Sequence, residues 1–322
     1  MSRGLRYRYA EVTGAFREGG AREGLDTLAK RIGYDVRSLA RTALAHVHAK
    51  DGQVVLPIQG SRMILRLDDP GLSRELIRYR IREREQTELI QQEIKPGMVG
   101  VDIGANLGYY ALMEARLVGT EGRVLAIEPV SSNYEILVRN LVLNNYRQVT
   151  ALQRAISDKS GSQEMWITPQ SNWCNLMSLD DETLSDHFRE RLESTDASMR
   201  VKVPTVALDD LLEEQNIQEV NFVRMDVEGF EMNVTQGMQR TLREATEVLK
   251  LFIEVHNTTF EDPLDTIGPW MDGLLDLGFR PKALAVPKHR QGILRDLPRE
   301  GFAELLCSFR SSCPHVLLVK NE

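Results

Sequence analysis

Apolar positions along this chain change period several times, and each change marks an element. From 22 to 49 they recur near helical spacing, at Leu25, Leu28, Ile32, Val36, Leu39 and Leu44, which predicts an appended helix. Residues 54–67 read as two short strands around Gln59-Gly60-Ser61, a hairpin expected to serve as a lid or flank over a cleft. Over 73–94 a charged helix is predicted, with Leu76, Ile77, Ile81, Leu89 and Ile94 inward and Lys95-Pro96-Gly97 stopping it. Beyond it come apolar runs of strand length at 98–103, 149–157, 200–206, 220–225 and 250–256, with helical stretches such as 109–117 and 131–144 between them. Runs without alternation belong to strands covered on both faces, so the pattern predicts an α/β fold around a mostly parallel sheet. A further strand at 163–168 belongs to an insertion at about 162–200. Residues 169–199 show no period and group Asn172, Trp173, Cys174 and Asn175; a loop of that length suits substrate binding.

The residues around the first of these strands predict what the sheet binds. The run 98–103 enters Gly104-Ala-Asn-Leu-Gly108, a helix follows at once, and the next strand ends in Glu128. The glycines would let the backbone pass close to a ligand, and free N–H groups opening the helix would face it. A dinucleotide fingerprint would be G-x-G-x-x-G, whereas here the pattern is D-x-G-x-N-x-G with Asn106 in place of the second glycine. Asp102 and Glu128 would repel a pyrophosphate but suit ribose hydroxyls and an ammonium group. The choice favours S-adenosylmethionine. A nicotinamide-dependent oxidoreductase and a non-catalytic cofactor-binding scaffold remain as alternatives.

A second informative stretch lies two strands on. Asp226-Val-Glu-Gly-Phe-Glu231 follows the run 220–225, and the run 250–256 ends in Glu254 and His256. Open α/β sheets place ligands at such strand ends, so Asp226, Glu228, Glu254 and His256 are expected on one rim. That is more acid than a core tolerates without a use for it. Glu83, ahead of the first strand, reads as part of a solvated face. His46 and His48, two apart on a helix, read as surface or capping residues.

Composition narrows the picture further. With 322 residues, 42% hydrophobic and 27% charged, the chain has ordinary globular usage. A net charge of −7 and a pI near 5.6 argue against nucleic acid as a partner. Cys174, Cys307 and Cys313 have no C-x-x-C spacing, so neither a disulfide framework nor a zinc site is expected. No apolar run approaches the roughly 20 residues of a membrane span, and the first residues lack the apolar middle of a signal peptide. A cytoplasmic location is the expectation, with residues 1–95 the segment for any homo-oligomeric contact.

Together the motifs Lys95-Pro-Gly, Val101-Asp-Ile-Gly-Ala-Asn-Leu-Gly-Tyr-Tyr110, Ile127-Glu-Pro129, Asn140 with Asn144-Asn145, Ala155-Ile-Ser-Asp158, Met225-Asp-Val-Glu-Gly-Phe-Glu231 and Ile253-Glu-Val-His256 resemble the FkbM family of S-adenosylmethionine-dependent methyltransferases. The resemblance spans about 62–320. It implies a seven-stranded class I methyltransferase sheet over 96–322 and transfer of a methyl group to a hydroxyl of a sugar, polysaccharide or other secondary metabolite. The cofactor contacts it implies are Glu83, Asp102, Gly104, Asn106, Gly108, Tyr109, Glu128, Ser157 and Asp226. A hydroxyl is a weak nucleophile and needs a base or a metal. His256, flanked by Asp226 and Glu254, is the candidate base. Alternatively Asp226, Glu228 and Glu254 would hold Mg²⁺. The segment before about Val54 has no counterpart in the resemblance.

Overall fold

The computed structural model describes residues 20–193, 199–286, 292–309 and 313–322. Its strands are β1 (Gln53–Ile58), β2 (Ser61–Arg66), β3 (Val99–Ile103), β4 (Arg123–Ile127), β5 (Val149–Leu152), β6 (Ala155–Ile156), β7 (Gly161–Ile167), β8 (Met199–Val206), β9 (Phe222–Met225), β10 (Leu249–Glu254), β11 (Arg280–Ala285), β12 (Ile293–Arg295) and β13 (His315–Lys320). The main sheet runs β12-β11-β13-β10-β9-β3-β4-β5, with β10, β9, β3, β4 and β5 mutually parallel and β13 antiparallel to both of its neighbours. Seven strands were expected, and this sheet has eight among the described residues. The short β12 adds an eighth by pairing antiparallel with β11, whose edge would otherwise lie open.

Alternation along the central strands assigns the two faces. Val101, Ile103, Leu125, Ile127, Val223, Met225, Leu251 and Ile253 enter one apolar cluster, while Val124, Ala126, Phe222 and Phe252 enter the other. Gly100 is required because a Cβ there would fall 2.0 Å from the Phe222 ring. On the second face, near the C-terminal ends of the strands, the alternation delivers polar residues. Asp102 stands opposite Arg224, and Glu254 opposite His315. This buried polar layer frames the site.

Three elements differ from the pattern-based reading. The run 149–157 does not form one strand: after Leu152 the chain leaves the main sheet, and Ala155–Ile156 pairs with β8 in the insertion's three-stranded sheet, β6-β8-β7. The helix expected over 73–94 breaks into Leu72–Tyr79 and Arg84–Glu93, with Arg80 and Glu83 in left-handed conformation at φ 63° and 40°. The break turns Arg82 and Glu83 inward, where the Tyr109 hydroxyl accepts from the Arg82 amide. Residues 169–199, expected to be irregular, include the helix Asp186–Glu193.

The β1–β2 hairpin packs against the helix Ser131–Asn144. Asn140 Oδ1 accepts from the Ile64 amide at 2.6 Å, and Asn144 Oδ1 from Arg62 at 2.8 Å. Met63 and Leu65 share an apolar cluster with Leu137 and Phe252. The hairpin therefore flanks the sheet and contributes nothing to the cleft lining. In the helix Gly20–His48, Ala45 is buried while Leu25, Ile32, Val36, Leu39 and Leu44 are exposed. His46 and His48 are exposed, and each bonds the carbonyl one turn back, at Thr42 and Leu44. No helix among the described residues is long and apolar enough to cross a membrane.

Candidate active site

A cavity of about 780 Å³ opens at the C-terminal ends of β3, β4 and β9. One wall is the loop 104–108 with Glu128. Gly104, at φ 81°, would with a Cβ lie 2.1 Å from the Asp226 carbonyl oxygen, and a Cβ on Gly108 would meet Leu137 at 2.8 Å. Both glycines thus serve close approach of chain to chain, and Gly104 also lines the cavity. The loop amides are engaged as well: Gly104 and Ala105 donate to the Ile127 carbonyl, Asn106 to Glu128 Oε2 at 2.8 Å and Gly108 to the Ala105 carbonyl. The bonded amides are those of the loop itself, ahead of the helix that opens at Tyr109.

Glu128 also accepts from the Val130 amide at 2.9 Å, so this carboxylate ties the chain entering the helix Ser131–Asn144. Burial outweighs these bonds and pushes the Glu128 carboxyl up to about 7. Asn106 Nδ2 and Asn133 Nδ2 both donate to the Ser171 carbonyl, and Ser171 Oγ donates to Asp69. The insertion is thereby pinned to the cleft, where Ser171, Asn172, Cys174 and Asn175 join the lining.

Four of the expected cofactor contacts, Glu83, Asp102, Gly108 and Ser157, are not among the residues lining this cavity. Asp102 is 0% exposed and does not line the cavity. The sheet register places it beside Arg224, whose Nη1 donates to it at 2.9 Å. Ser157 is equally buried, bonded to Asp158 Oδ1 and Gln163 Nε2, because the chain has already turned into the small sheet. Ala155 and Ile156 line the cavity in its place. Tyr109 does line it, with its hydroxyl bonded to Thr87 at 2.9 Å. Glu83 sits behind the cavity, accepting from the Tyr110 hydroxyl at 2.8 Å and paired with Arg82 at 2.5 Å.

The opposite wall is acidic. Asp226 pairs with Arg224 at 2.9 Å, and Arg82 lies 3.8 Å away. Burial works against its charge, but these guanidinium groups prevail and hold its carboxyl down at about 2. Glu228, in left-handed conformation at φ 54°, is pushed up to about 7 by burial. His256 is 5% exposed; its Nδ1 bonds Glu231 at 2.7 Å, and its Nε2 faces Glu228 at 3.5 Å and both Asp226 and Glu254 at 3.9 Å. Burial disfavours a charged ring there, but Cys313, Glu231 and Glu228 outweigh it, and the His256 pKa stands well above its ordinary value.

The expected metal triad is redistributed. Asp226, Glu228 and His256 offer donor atoms within 4.8 Å of one another, whereas Glu254 falls into a group with His256 and Cys313 and another with Glu83 and His315. Arg82, Arg224, Glu231 and His315 are the site residues that reading by motif missed. Arg224 had a signal: it and Asp102 are lone charges in otherwise apolar runs, and each supplies what the other needs.

The methyltransferase FkbM domain matches residues 102–281, more than half of the chain and both walls of the cleft. This chain belongs to the methyltransferase FkbM domain family. Among curated relatives, Methyltransferase 1 of Beauveria bassiana is 29% identical over 143 residues, which are 43% of this chain and 57% of that protein. Methyltransferase sdnD of Sordaria araneosa is 29% identical over 154 residues, 43% of this chain and 59% of its own length. The hexuronic acid methyltransferase AglP of Haloferax volcanii is 25% identical over 199 residues, with 62% and 69% covered. The chain thus spans less than two thirds of the first two relatives. Within this FkbM domain Asp226 and Glu228 line the acidic wall, with Glu231, Glu254 and His256 outside the lining beside them, and Gly104–Asn106 with Glu128 line the other.

Proposed function

We propose that the chain is an S-adenosylmethionine-dependent O-methyltransferase acting on a hydroxyl of a sugar, polysaccharide or secondary metabolite. The observation that carries this reading is that one cavity joins the two walls: Asp226 and Glu228 line it together with Asn106 and Glu128. When bound, the donor supplies an electrophilic methyl group on a positively charged sulfur. The residues present fit it. Ile127, Ile156, Met165 and Phe230 offer apolar surface for the adenine, and the Glu128 carboxylate faces the cavity where ribose hydroxyls would donate. The carboxylates opposite favour the sulfonium charge. The dinucleotide alternative is disfavoured because Gly104, Ala105, Asn106 and Gly108 have no free amide left for a pyrophosphate.

Transfer forms the bond from hydroxyl oxygen to methyl carbon as the carbon–sulfur bond breaks and its pair stays on sulfur. The hydroxyl proton goes to the chain. His256 is the candidate base, oriented by Glu231 through Nδ1 so that Nε2 faces the pit. Cys313, Glu231 and Glu228 raise its pKa against the effect of burial, and Asp226 and Glu254 balance the charge it gains on taking the proton. A divalent cation such as Mg²⁺ is the second reading, favoured by the same carboxylates, and would bind the hydroxyl and acidify it. Methyl incorporation from labelled donor should vanish in His256→Ala while S-adenosylhomocysteine still binds. Normal incorporation by that variant would remove His256 from the base role, and turnover undiminished by exhaustive chelation would remove the metal.

A further inference from the structure

We propose that the acidic pit is a site for one divalent first-row transition ion, held by Asp226, Glu228 and His256 Nε2, whose donor atoms lie within 4.8 Å of one another, with Glu254 facing His256 Nε2 from outside that group and Glu231 positioning the imidazole. The proposal deepens the cation reading of the site above and does not depend on the methyl donor.

The geometry is that of a ligating histidine and its support. Nδ1 bonds Glu231 at 2.7 Å, which fixes the ring so that Nε2 points at Asp226, Glu228 and Glu254, at 3.5–3.9 Å from each. Metal-bound imidazoles are held this way, their other nitrogen donating to a carboxylate. An independent observation is Glu254. It is 8% exposed, its buried Oε2 has no hydrogen bond among the described residues, and its Oε1 lies 3.9 Å from His256 Nε2. His315, on the other side of Glu254, is 1% exposed with both ring nitrogens unbonded among the described residues, and at 3.9 Å it gives that carboxylate no hydrogen bond.

The nearby guanidinium groups engage Asp226 through Oδ2 and leave its Oδ1, which faces His256 Nε2, and the carboxylates of Glu228 and Glu254 without a hydrogen-bonded guanidinium among the described residues. Arg224 bridges Asp102 and Asp226, and Arg82 holds Glu83. Buried carboxylates left without a hydrogen-bonded counter-charge are costly, and a cation is the natural complement. The mixed donor set selects its class. Mg²⁺ prefers oxygen ligands and retained water, whereas Mn²⁺, Fe²⁺ and Co²⁺ accept imidazole beside carboxylates. Since Asp226 and Glu228 also line the cavity, the ion would stand at its wall, within reach of an acceptor hydroxyl.

The test uses the full chain, stripped by chelator and desalted, with Mn²⁺ alone as the probe and neither donor nor acceptor present. Paramagnetic resonance of free Mn²⁺ should fall with added protein to one bound ion per chain, and the bound signal should carry nitrogen modulation from one imidazole. Mg²⁺ should displace it only in large excess. His256→Gln should lose the nitrogen modulation, Glu228→Gln should bind at least about tenfold more weakly, and Glu231→Gln should keep the ion at about tenfold lower affinity with an altered nitrogen coupling. Circular dichroism checks folding. If His256→Gln does not fold, Glu228→Gln, on the cavity wall, decides. Free Mn²⁺ undiminished by wild-type protein, binding without nitrogen modulation, or unchanged affinity in Glu228→Gln would each overturn the proposal. Any of these would leave the O-methyl reading standing on an imidazole base; failure to bind S-adenosylhomocysteine by protein that binds Mn²⁺ would overturn that reading alone.

Discussion

The two walls of the cleft satisfy their polar groups in opposite ways. On the Gly104–Glu128 side every loop amide has a partner, and the single carboxylate accepts from two backbone amides. On the Asp226–His256 side four carboxylates and a histidine crowd one pit, and Glu254 Oε2 has no hydrogen bond among the described residues. The first wall is complete as folded, which suits holding a cofactor in a fixed pose. The second is unbalanced in charge, which suits a task that brings positive charge to it, whether sulfonium, proton or metal ion. Binding and reaction are thus assigned to different walls of one cavity, and substitutions should separate them.

The largest effect is expected at Asp226, which belongs to the cavity lining and also neutralises Arg224. Asp226→Asn leaves a fully buried guanidinium with only Asp102, so unfolding by denaturant should show a loss of about 3–5 kcal/mol. Methyl transfer should fall below detection in the same preparation. A fully stable variant would show that the Arg224 network is not what holds the acidic wall. A smaller, selective effect is expected on the other wall. Glu128→Gln should weaken S-adenosylhomocysteine roughly 10- to 100-fold by calorimetry, the range for losing a hydrogen bond to a charged group, and leave Mn²⁺ binding untouched. Loss of both would mean that the walls are not independent.

The smallest effect is on stability against pH. The folded chain holds the Glu128 and Glu228 protons up to about 7, whereas unfolding returns each to an ordinary value near 4.5. Their contribution to stability is therefore complete below that ordinary value and lost as pH rises through 7. Melting of ligand-free protein should fall from about pH 5 to about pH 8, with a shallower fall in Glu128→Gln. A melting temperature that climbs over this range would contradict the burial of these carboxyls.

How much of this the sequence displays follows the distance between partners. Asn106 and Glu128 lie in one strand–helix–strand unit, so each was readable as a candidate from motif and spacing, though the bond between them was not. Asp102 was legible as a carboxylate at a strand end but not as the partner of Arg224, because only sheet order brings β3 beside β9. The same holds for His315, which reaches Glu254 through the antiparallel β13. Arg82 and Glu83 sit in a continuous charged helical pattern, and what breaks that helix is tertiary: the Tyr109 and Tyr110 hydroxyls, Thr87 and the acidic pit draw the two residues in. The extra strand β12 forms from three residues that no periodicity could distinguish from a loop.

The separation of binding from reaction is tested most directly by measuring S-adenosylhomocysteine affinity and methyl incorporation on one preparation of His256→Gln. Affinity close to wild type with incorporation abolished is the predicted result. Affinity lost together with transfer, or transfer retained, would contradict it.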